Sequence, residues 1–205
     1  KFQFVRVTRS SLLDFISKAR KRVVIAKPGY SCEEVTLIKN LSEFSAVNCT
    51  LYIDPSEEAV RWGFGDKDAL SVIQQNLESL HVQTAKRIRL SVVVVDDSAL
   101  IYVPVALSWE EEPKHIIYPN GFIGGTDIAV SFLEQISGSD AESQPDNKVI
   151  PFPGCDIPSK TIESIREELA KTQEKLVKNP ALDPAKLRNI TVYRNIYKLV
   201  KIEIR

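Results

Sequence analysis

Two short runs of consecutive apolar residues constrain the fold of this chain more than any other feature. Residues 23–26 (VVIA) and 92–95 (VVVV) consist almost entirely of β-branched side chains. A strand with one face in water alternates apolar and polar residues, whereas a strand covered on both faces is apolar throughout. The two runs therefore predict central strands of a sheet that is buried on both sides.

Helical segments alternate with the predicted strands in the first half of the chain. The predicted helices cover residues 11–19, 33–44 and 67–80, and further predicted strands cover residues 49–53 and 82 onward. Ser31 stands three residues before Glu34, which is the pattern of a capping box, and Asp66 precedes the third helix as a predicted N-cap. Such alternation is typical of an α/β fold with parallel strand pairs.

The middle of the chain has a different pattern. Predicted strands at residues 89–95 and 99–103 flank the turn residues Asp96, Asp97 and Ser98, which indicates an antiparallel hairpin. A further strand is predicted at 115–118, turns at 119–121 and 124–125, and a helix from Thr126 to about residue 136. Parallel and antiparallel pairs together predict a mixed β-sheet flanked by helices.

The composition changes after residue 137. Glycine, proline and small polar residues dominate the next segment, which is typical of a linker. A strongly helical stretch at 159–178 follows, and residues 190–204 end in strand-like alternation. The sequence thus predicts an α/β domain at 1–137, a linker at 138–158, and a C-terminal helix and β-strand extension at 159–205.

The predicted C-terminal helix carries an apolar stripe. Its predicted buried face consists of Ile162, Ile165, Leu169, Leu176 and Val177. We expect this face to pack on the same domain, and a partner-binding or dimer helix is the alternative.

Charge and cysteine content narrow the function classes. Lysine plus arginine equals aspartate plus glutamate at 27 each, so no overall field favours nucleic acid or an anionic membrane. Three widely spaced cysteines, Cys32, Cys49 and Cys155, form no metal-site or disulfide pattern. No segment approaches the ~20 apolar residues that span a bilayer. We expect a cytoplasmic protein with no cofactor, no metal and no membrane partner, and a fragment of a longer chain because Lys1 is not methionine.

A series of segments resembles one half of the phospholipase D-like fold over about residues 8–136. In chain order they are SSLLDFISKARKRVVIAKPGYS, CTLYIDP, GFGDKDALSVIQ, KRIRLSVVVVDDSALIYVP and PNGFIGG. The closing segment NPALDPAKLRNITVYRNIYKLVKIEIR is similar to the tail of uncharacterised bacterial proteins built around such a domain. The resemblance implies the same α/β class, a mixed sheet flanked by helices.

The catalytic motif of that superfamily, His-x-Lys-x4-Asp, is degenerate here. Aligning its aspartate with Asp96 puts Arg89 in the histidine position and Ser91 in the lysine position. Arginine stays protonated and is a poor nucleophile, and serine supplies no fixed positive charge. Neither His81 nor His115 begins such a motif. The resemblance therefore implies that the family's phosphodiester hydrolysis is lost, which argues against an enzyme.

Arg89, Ser91 and Asp96 are candidate ligand-binding residues at the former catalytic position, together with Asp54 and Trp62. They would hold a small polar ligand or a nucleic-acid phosphate. The alternative is structural: Asp96 caps its turn and Arg89 pairs with a carboxylate.

Two other segments have alternative interpretations. Gly63 and Gly65 precede a helix and would hold a phosphate through backbone N–H groups, or form a flexible loop. The acidic residues 110–112 point to different sides in extended chain, which favours a solvated loop over a metal site.

Three functions follow from these readings of the residues. The first is a non-catalytic ligand-binding or sensing module within a larger protein. The second is a nuclease or phosphodiesterase that uses displaced residues or residues of a partner. The third is a structural module that forms a homodimer.

Overall fold

The described residues form one seven-stranded sheet with helices packed against it. The computed structural model describes residues 3–77, 79–106, 119–127, 129–130 and 161–180. The strands are β1 Gln3–Val5, β2 Arg22–Lys27, β3 Asn48–Ile53, β4 His81–Thr84, β5 Ser91–Val95, β6 Ser98–Tyr102 and β7 Gly121–Gly125. The helices with described bounds are α1 Arg9–Ser17, α2 Cys32–Ser45, α3 Glu57–Arg61, α4 Lys67–Gln75 and α5 Ile162–Lys178.

The sheet is mixed, as predicted. Its strand order is β1-β7-β6-β5-β2-β3-β4. The pairs β2–β3 and β3–β4 are parallel, whereas β2–β5, β5–β6, β6–β7 and β1–β7 are antiparallel. The two apolar runs become β2 and β5, which lie side by side at the centre. The predicted α/β class, a mixed sheet flanked by helices, is confirmed.

Both faces of the central strands are buried, which explains their continuous apolar sequence. On one face Val23, Ile25 and Val93 pack in the core that the helices cover. On the other face Val24, Ala26 and Val92 belong to a second cluster with Ile88 and Ala129. Each fully buried valine or isoleucine contributes about 1.5–3 kcal/mol.

One of the two predicted helix caps forms as expected. The capping box of Ser31 and Glu34 is present at α2, and Thr8 caps α1. Asp66 precedes α4 but makes no cap bond to that helix; its carboxylate instead accepts the backbone N–H of Cys32 at 3.3 Å. Asp66 therefore links the α3–α4 connection to the start of α2, a contact that its position in the sequence does not predict.

The C-terminal helix packs on the same domain. Ile165, Leu169 and Leu176 are buried in the main core, and α5 contacts α3, α4 and β4. Ile162 and Val177, predicted to be buried, are 40% and 65% exposed. Ile162 continues the spacing of the buried Ile165, Leu169, Thr172 and Leu176 but lies in the first turn, at the end of the helix. Val177 lies in the last turn, one position beyond that stripe.

Several predictions fall outside the described residues. These are the strand at 115–118, most of the helix after Thr126, the linker at 138–158 and the strand at 190–204. The division into domain, linker and extension therefore stays a prediction. In the described part of the chain, no helix is both long and apolar enough to cross a membrane.

Candidate functional site

Polar side chains meet at one edge of the sheet, where several strands begin or end. The pairing register places Lys27 beside Ile53, and Ser91 beside Tyr102. Lys27 is the last residue of β2, Ser91 the first of β5, and Tyr102 the last of β6. In open α/β sheets, ligands commonly bind outside the carboxyl ends of the parallel strands. We call this side of the sheet the polar edge.

A cavity of about 270 Å³ opens at the polar edge. Thr8 and Arg9 border it from the start of α1, and Ser31 and Glu34 from the start of α2. The remaining walls come from the ends of β2 and β6 and from two loops, through Lys27, Tyr102, Pro104, Val105, Asn120 and residues 63–66. We call it the edge cavity.

A buried ion pair lies in the wall of the edge cavity. Lys27 Nζ is 2.5 Å from Glu34 Oε1, and the two side chains are only 9% and 5% exposed. The other Glu34 oxygen accepts the backbone N–H of Ser31 at 2.7 Å. Both groups are therefore held in place by protein contacts, and the positive charge is compensated within the wall.

The pKa shifts of the pair keep both groups charged. Burial alone would lower the pKa of Lys27, but the adjacent Glu34 carboxylate outweighs it, so the pKa of Lys27 is raised. Burial alone would raise the pKa of Glu34, but Lys27 and the Ser31 N–H lower it. The cavity wall thus carries a salt bridge at neutral pH.

Two buried tyrosines accompany the pair. The Tyr30 hydroxyl lies 3.0 Å from the Ile25 carbonyl and 2.9 Å from the Tyr52 carbonyl, and its ring centroid lies 5.5 Å from Lys27 Nζ. Burial raises the pKa of Tyr30 and of Tyr102 above the ordinary value. Both phenols therefore stay neutral and add no charge to the cavity.

Three of the predicted ligand residues meet at the same edge. Arg89 Nη1 lies 3.8 Å from Asp54 Oδ2, and the guanidinium carbon of Arg89 lies 4.2 Å from the Trp62 ring centroid. The Asp54 carboxylate is 1% exposed and also accepts the backbone N–H groups of Ser56 and Arg87, at 3.0 and 2.9 Å. Arg89 pairs with a carboxylate, as the structural alternative predicts, yet its side chain is 43% exposed.

Asp96 does not join this group. It follows β5, whereas Arg89 precedes it, and an extended strand rises about 3.3 Å per residue, so the two lie at opposite edges of the sheet. The Asp96 carboxylate accepts the backbone N–H groups of Arg20, Lys21 and Arg22 at 3.0, 2.8 and 3.0 Å. Burial alone would raise the pKa of Asp96, but these donors lower it.

Ser91 lies in the row of the polar edge between β2 and β6. Its side chain is fully buried, and it is not among the residues that border the edge cavity. Neighbouring Lys27 and Tyr102 reach the cavity instead. Ser91 is therefore a buried neighbour of two cavity residues and does not itself border the cavity.

The loop 63–66 is docked rather than open. A Cβ atom built on Gly65 would lie 2.7 Å from the Tyr30 nitrogen and 2.9 Å from the Gly29 Cα. The backbone N–H groups of Gly63, Phe64 and Asp66 donate to the carbonyls of residues 60, 59 and 30 at 2.9, 3.1 and 2.9 Å. The amides of Gly63, Phe64 and Asp66 are thus engaged within the protein and are not available to a phosphate.

The described histidine is remote from the cavity. His81 opens β4 opposite Thr50, at the other end of that strand from the polar edge, and its side chain is exposed. His115 and the acidic residues 110–112 lie outside the described residues. Over the described ranges, no group of three histidine, cysteine or acidic residues is placed to hold a metal ion.

Sequence reasoning missed Lys27, Glu34 and Tyr102. One signal was available, because Lys27 directly ends an apolar run and Glu34 belongs to a capping box. A lysine at that position is also consistent with an ordinary strand end. The ion pair becomes evident only from the packing of β2 against α2 in the structure.

Comparisons with known proteins yield only distant structural likenesses. No family model and no curated protein matches the chain. Solved structures similar to it include TrmBL2, an archaeal chromatin protein, at 12% identity and TM-score 0.45, where the match covers 68% of this chain and 52% of that one. The match to Nuc from Salmonella typhimurium, a phospholipase D family member, has 15% identity, TM-score 0.46 and coverages of 66% and 90%.

A third likeness, to phosphatidylserine synthase from Haemophilus influenzae, has 14% identity and TM-score 0.44 and covers 87% of this chain and 44% of that one. The match thus spans about half the length of the first and third of these proteins. At these identities and TM-scores the likenesses carry no argument about chemistry or ligands.

Proposed function

We propose that this chain is a non-catalytic module that binds a small polar ligand in the edge cavity and acts as a sensor within a larger protein. The observation that carries the proposal is the cavity with the buried Lys27–Glu34 pair in its wall. Burying an ion pair is costly and rarely adds net stability, so a pair kept beside a cavity favours a role in recognition.

The size and charge of the cavity define the ligand class. A volume of about 270 Å³ is at the small end for ligand pockets, which favours a compact molecule. Arg9 and Lys27 are balanced by Glu34 and Asp66 among the residues that border it. The residues that border the cavity thus carry no net charge, so a ligand with a net charge gains no net attraction from them. An uncharged or zwitterionic polar molecule fits this balance.

The protonation states argue against hydrolysis at this site. A lysine whose pKa is raised stays an ammonium group and is no nucleophile. The raised pKa values of Tyr30 and Tyr102 disfavour phenolate formation as well. The motif position holds Arg89 and Ser91 in place of histidine and lysine.

Thermal shifts with chemically contrasted probes test the proposal. We expect uncharged polyols and zwitterionic amino acids, screened at millimolar concentration, to include compounds that raise Tm, whereas inorganic phosphate does not, because only native-state binding stabilises. Val105→Trp, which fills the cavity, should abolish the shift. Val103→Trp is the matched control, since Val103 is 60% exposed on the same segment and does not border the cavity.

Two results would contradict the proposal. One is that neither the uncharged polyols nor the zwitterionic amino acids give a rise in Tm that Val105→Trp abolishes. The other is hydrolysis of bis(p-nitrophenyl) phosphate by the purified chain that disappears in a His81→Ala or His115→Ala variant. The latter result would restore the phosphodiesterase hypothesis.

A further inference from the structure

We propose that α3 transmits the occupancy of the edge cavity to the C-terminal helix α5. This inference rests on the proposed function and names how the same site would be read out. The segment from Asp54 to Asp66 touches the cavity at one end and α5 at the other. This one short segment therefore connects the cavity to α5, although the two are far apart in the sequence.

Polar contacts fasten α5 to this segment. The Thr172 hydroxyl donates to the Pro55 carbonyl in a buried contact, and the Arg61 guanidinium donates to the Asn179 carbonyl at the end of α5. Lys175 Nζ lies 4.0 Å from Glu57. These contacts involve both ends of α3. A displacement of α3 therefore changes the packing of the last turns of α5.

The loop 63–66 moves with α3 because its amides are bonded to that helix. Gly63 N–H donates to the Val60 carbonyl at 2.9 Å, and Phe64 N–H donates to the Ala59 carbonyl at 3.1 Å. Ala59 is itself buried, which fixes the helix against the core. Loop and helix therefore form one unit.

The far side of the same loop rests against the start of α2, beside the ion pair. Asp66 N–H donates to the Tyr30 carbonyl at 2.9 Å, and the Asp66 carboxylate accepts the Cys32 N–H at 3.3 Å. A ligand in the cavity contacts this loop directly and stabilises the docked arrangement. Coupling is reciprocal, so a change at α5 must alter the loop in turn.

Hydrogen exchange in the ligand-free chain tests the connection without any ligand. Thr172→Val deletes the hydroxyl that bonds Pro55. We expect exchange of the Phe64 and Asp66 amides to rise about 2- to 10-fold relative to Val93, the range expected for one hydrogen bond. Thr172→Ser keeps the donor and should restore protection.

Gln173→Ala is the matched control on the same helix. Gln173 Nε2 donates to the Ser71 hydroxyl of α4 at 3.1 Å, a hydrogen bond that does not involve α3. We expect this variant to leave the Phe64 and Asp66 amides unchanged relative to Val93. An equal effect of Gln173→Ala and Thr172→Val would overturn the proposed route.

The effect of the cavity on α5 is tested by a substitution that fills the cavity. Val105→Trp should alter exchange of the Asn179 amide, which donates to the Lys175 carbonyl at 2.9 Å, whereas Val103→Trp should not. Unchanged loop amides in Thr172→Val together with an unchanged Asn179 amide in Val105→Trp would refute the coupling. Probe binding in the thermal-shift screen would still support the proposed function, so the two failures are distinguishable.

Discussion

Asp96 shows how one carboxylate organises a chain junction. Its backbone φ of 50° lies in the left-handed region, where only a few non-glycine residues are tolerated. Its two oxygens accept three consecutive backbone N–H groups of the α1–β2 connection, and its own carbonyl accepts the Arg22 Nε–H at 3.0 Å. The residue that the motif alignment singled out thus holds the edge opposite the cavity together.

Asp96→Ala should lower the free energy of unfolding by about 2–4 kcal/mol. Three backbone N–H groups lose their acceptor, and alanine has no side-chain hydrogen bond to stabilise the positive φ. Asp96→Asn should cost less, since asparagine tolerates this conformation and keeps one acceptor. Urea denaturation measures both. Asp97→Ala, in the exposed next turn position, is the control and should change stability by less than about 0.5 kcal/mol. A loss of the same size in both alanine variants would contradict this role.

The Lys27–Glu34 pair should respond asymmetrically to single and double substitution. Lys27→Met leaves the Glu34 charge buried without its partner, so we expect a loss of about 3–5 kcal/mol in the free energy of unfolding. In Lys27→Met with Glu34→Gln no charge remains, and glutamine still serves the capping box, so most of the loss should be recovered. A double variant as unstable as the single one would refute the pairing argument.

The pair also predicts a pH dependence with a defined sign. The pKa of Glu34 is below its ordinary 4.5, so its contribution is present above that pH and is lost as pH falls through the native-state value. The raised pKa of Lys27 means that its contribution is lost only as pH rises beyond 10.5. As the pH is lowered from about 7 to about 3, wild type should therefore lose stability relative to Lys27→Met/Glu34→Gln, so the gap between their free energies of unfolding should change. A gap that stays constant over this range would contradict the assignment.

At the scale of elements, the sequence predicts the buried strands well and the short connections poorly. β2 and β5 are evident because only a doubly covered strand is apolar at every position. The element β7 is Gly121–Gly125, and glycine lowers strand propensity, so its sequence indicates a turn. The five-residue helix α3 lies in an acidic loop-like segment, and no periodic stripe can develop over so short a helix.

Gly65→Ala tests whether close backbone contact holds the loop at the cavity wall. The new methyl group would meet backbone atoms of Tyr30 and Gly29 at 2.7–3.0 Å, so we expect a loss of about 1–3 kcal/mol from overpacking. Gly125→Ala is the matched control, because its nearest contact is a movable Asp127 carboxylate oxygen. Thermal unfolding measures both variants. If Gly65→Ala and Gly125→Ala were equally stable, the loop would accommodate the methyl group, and close backbone contact would not be what holds it in place.

At the scale of the whole molecule, the edge cavity exists only through topology. Thr8, Lys27, Tyr102 and Asn120 come from distant parts of the chain and converge because the ends of β2 and β6, the start of α1 and the residue before β7 lie at one edge. No local pattern specifies that convergence. Asp54, Trp62 and Arg89 were identified from the sequence, but Asp54 follows β3 and Arg89 precedes β5, with β2 between them. Their contact depends on a strand order that the sequence does not state.

Leu169 tests whether α5 belongs to the same cooperative unit as the sheet. It is fully buried in the shared core, so Leu169→Ala should lower the free energy of unfolding by about 2–5 kcal/mol and leave a single transition. Val177→Ala, at a 65% exposed position of the same helix, should change little. Far-ultraviolet circular dichroism and tryptophan fluorescence should report coincident transitions. Two separate transitions would instead show α5 to be an independent element.

The shared core has a consequence for the order of events during synthesis. The partners of α5 in this core, among them Leu70 and Ile73 of α4 and Val82 of β4, are made long before Ile165. At ~5–20 residues per second, the stretch between Val130 and Ile165 alone takes about 2–7 s to translate. During that interval the apolar surface of α4 and β4 that α5 covers lacks this cover. The packing of α5 therefore also removes an exposed apolar surface from the emerging chain.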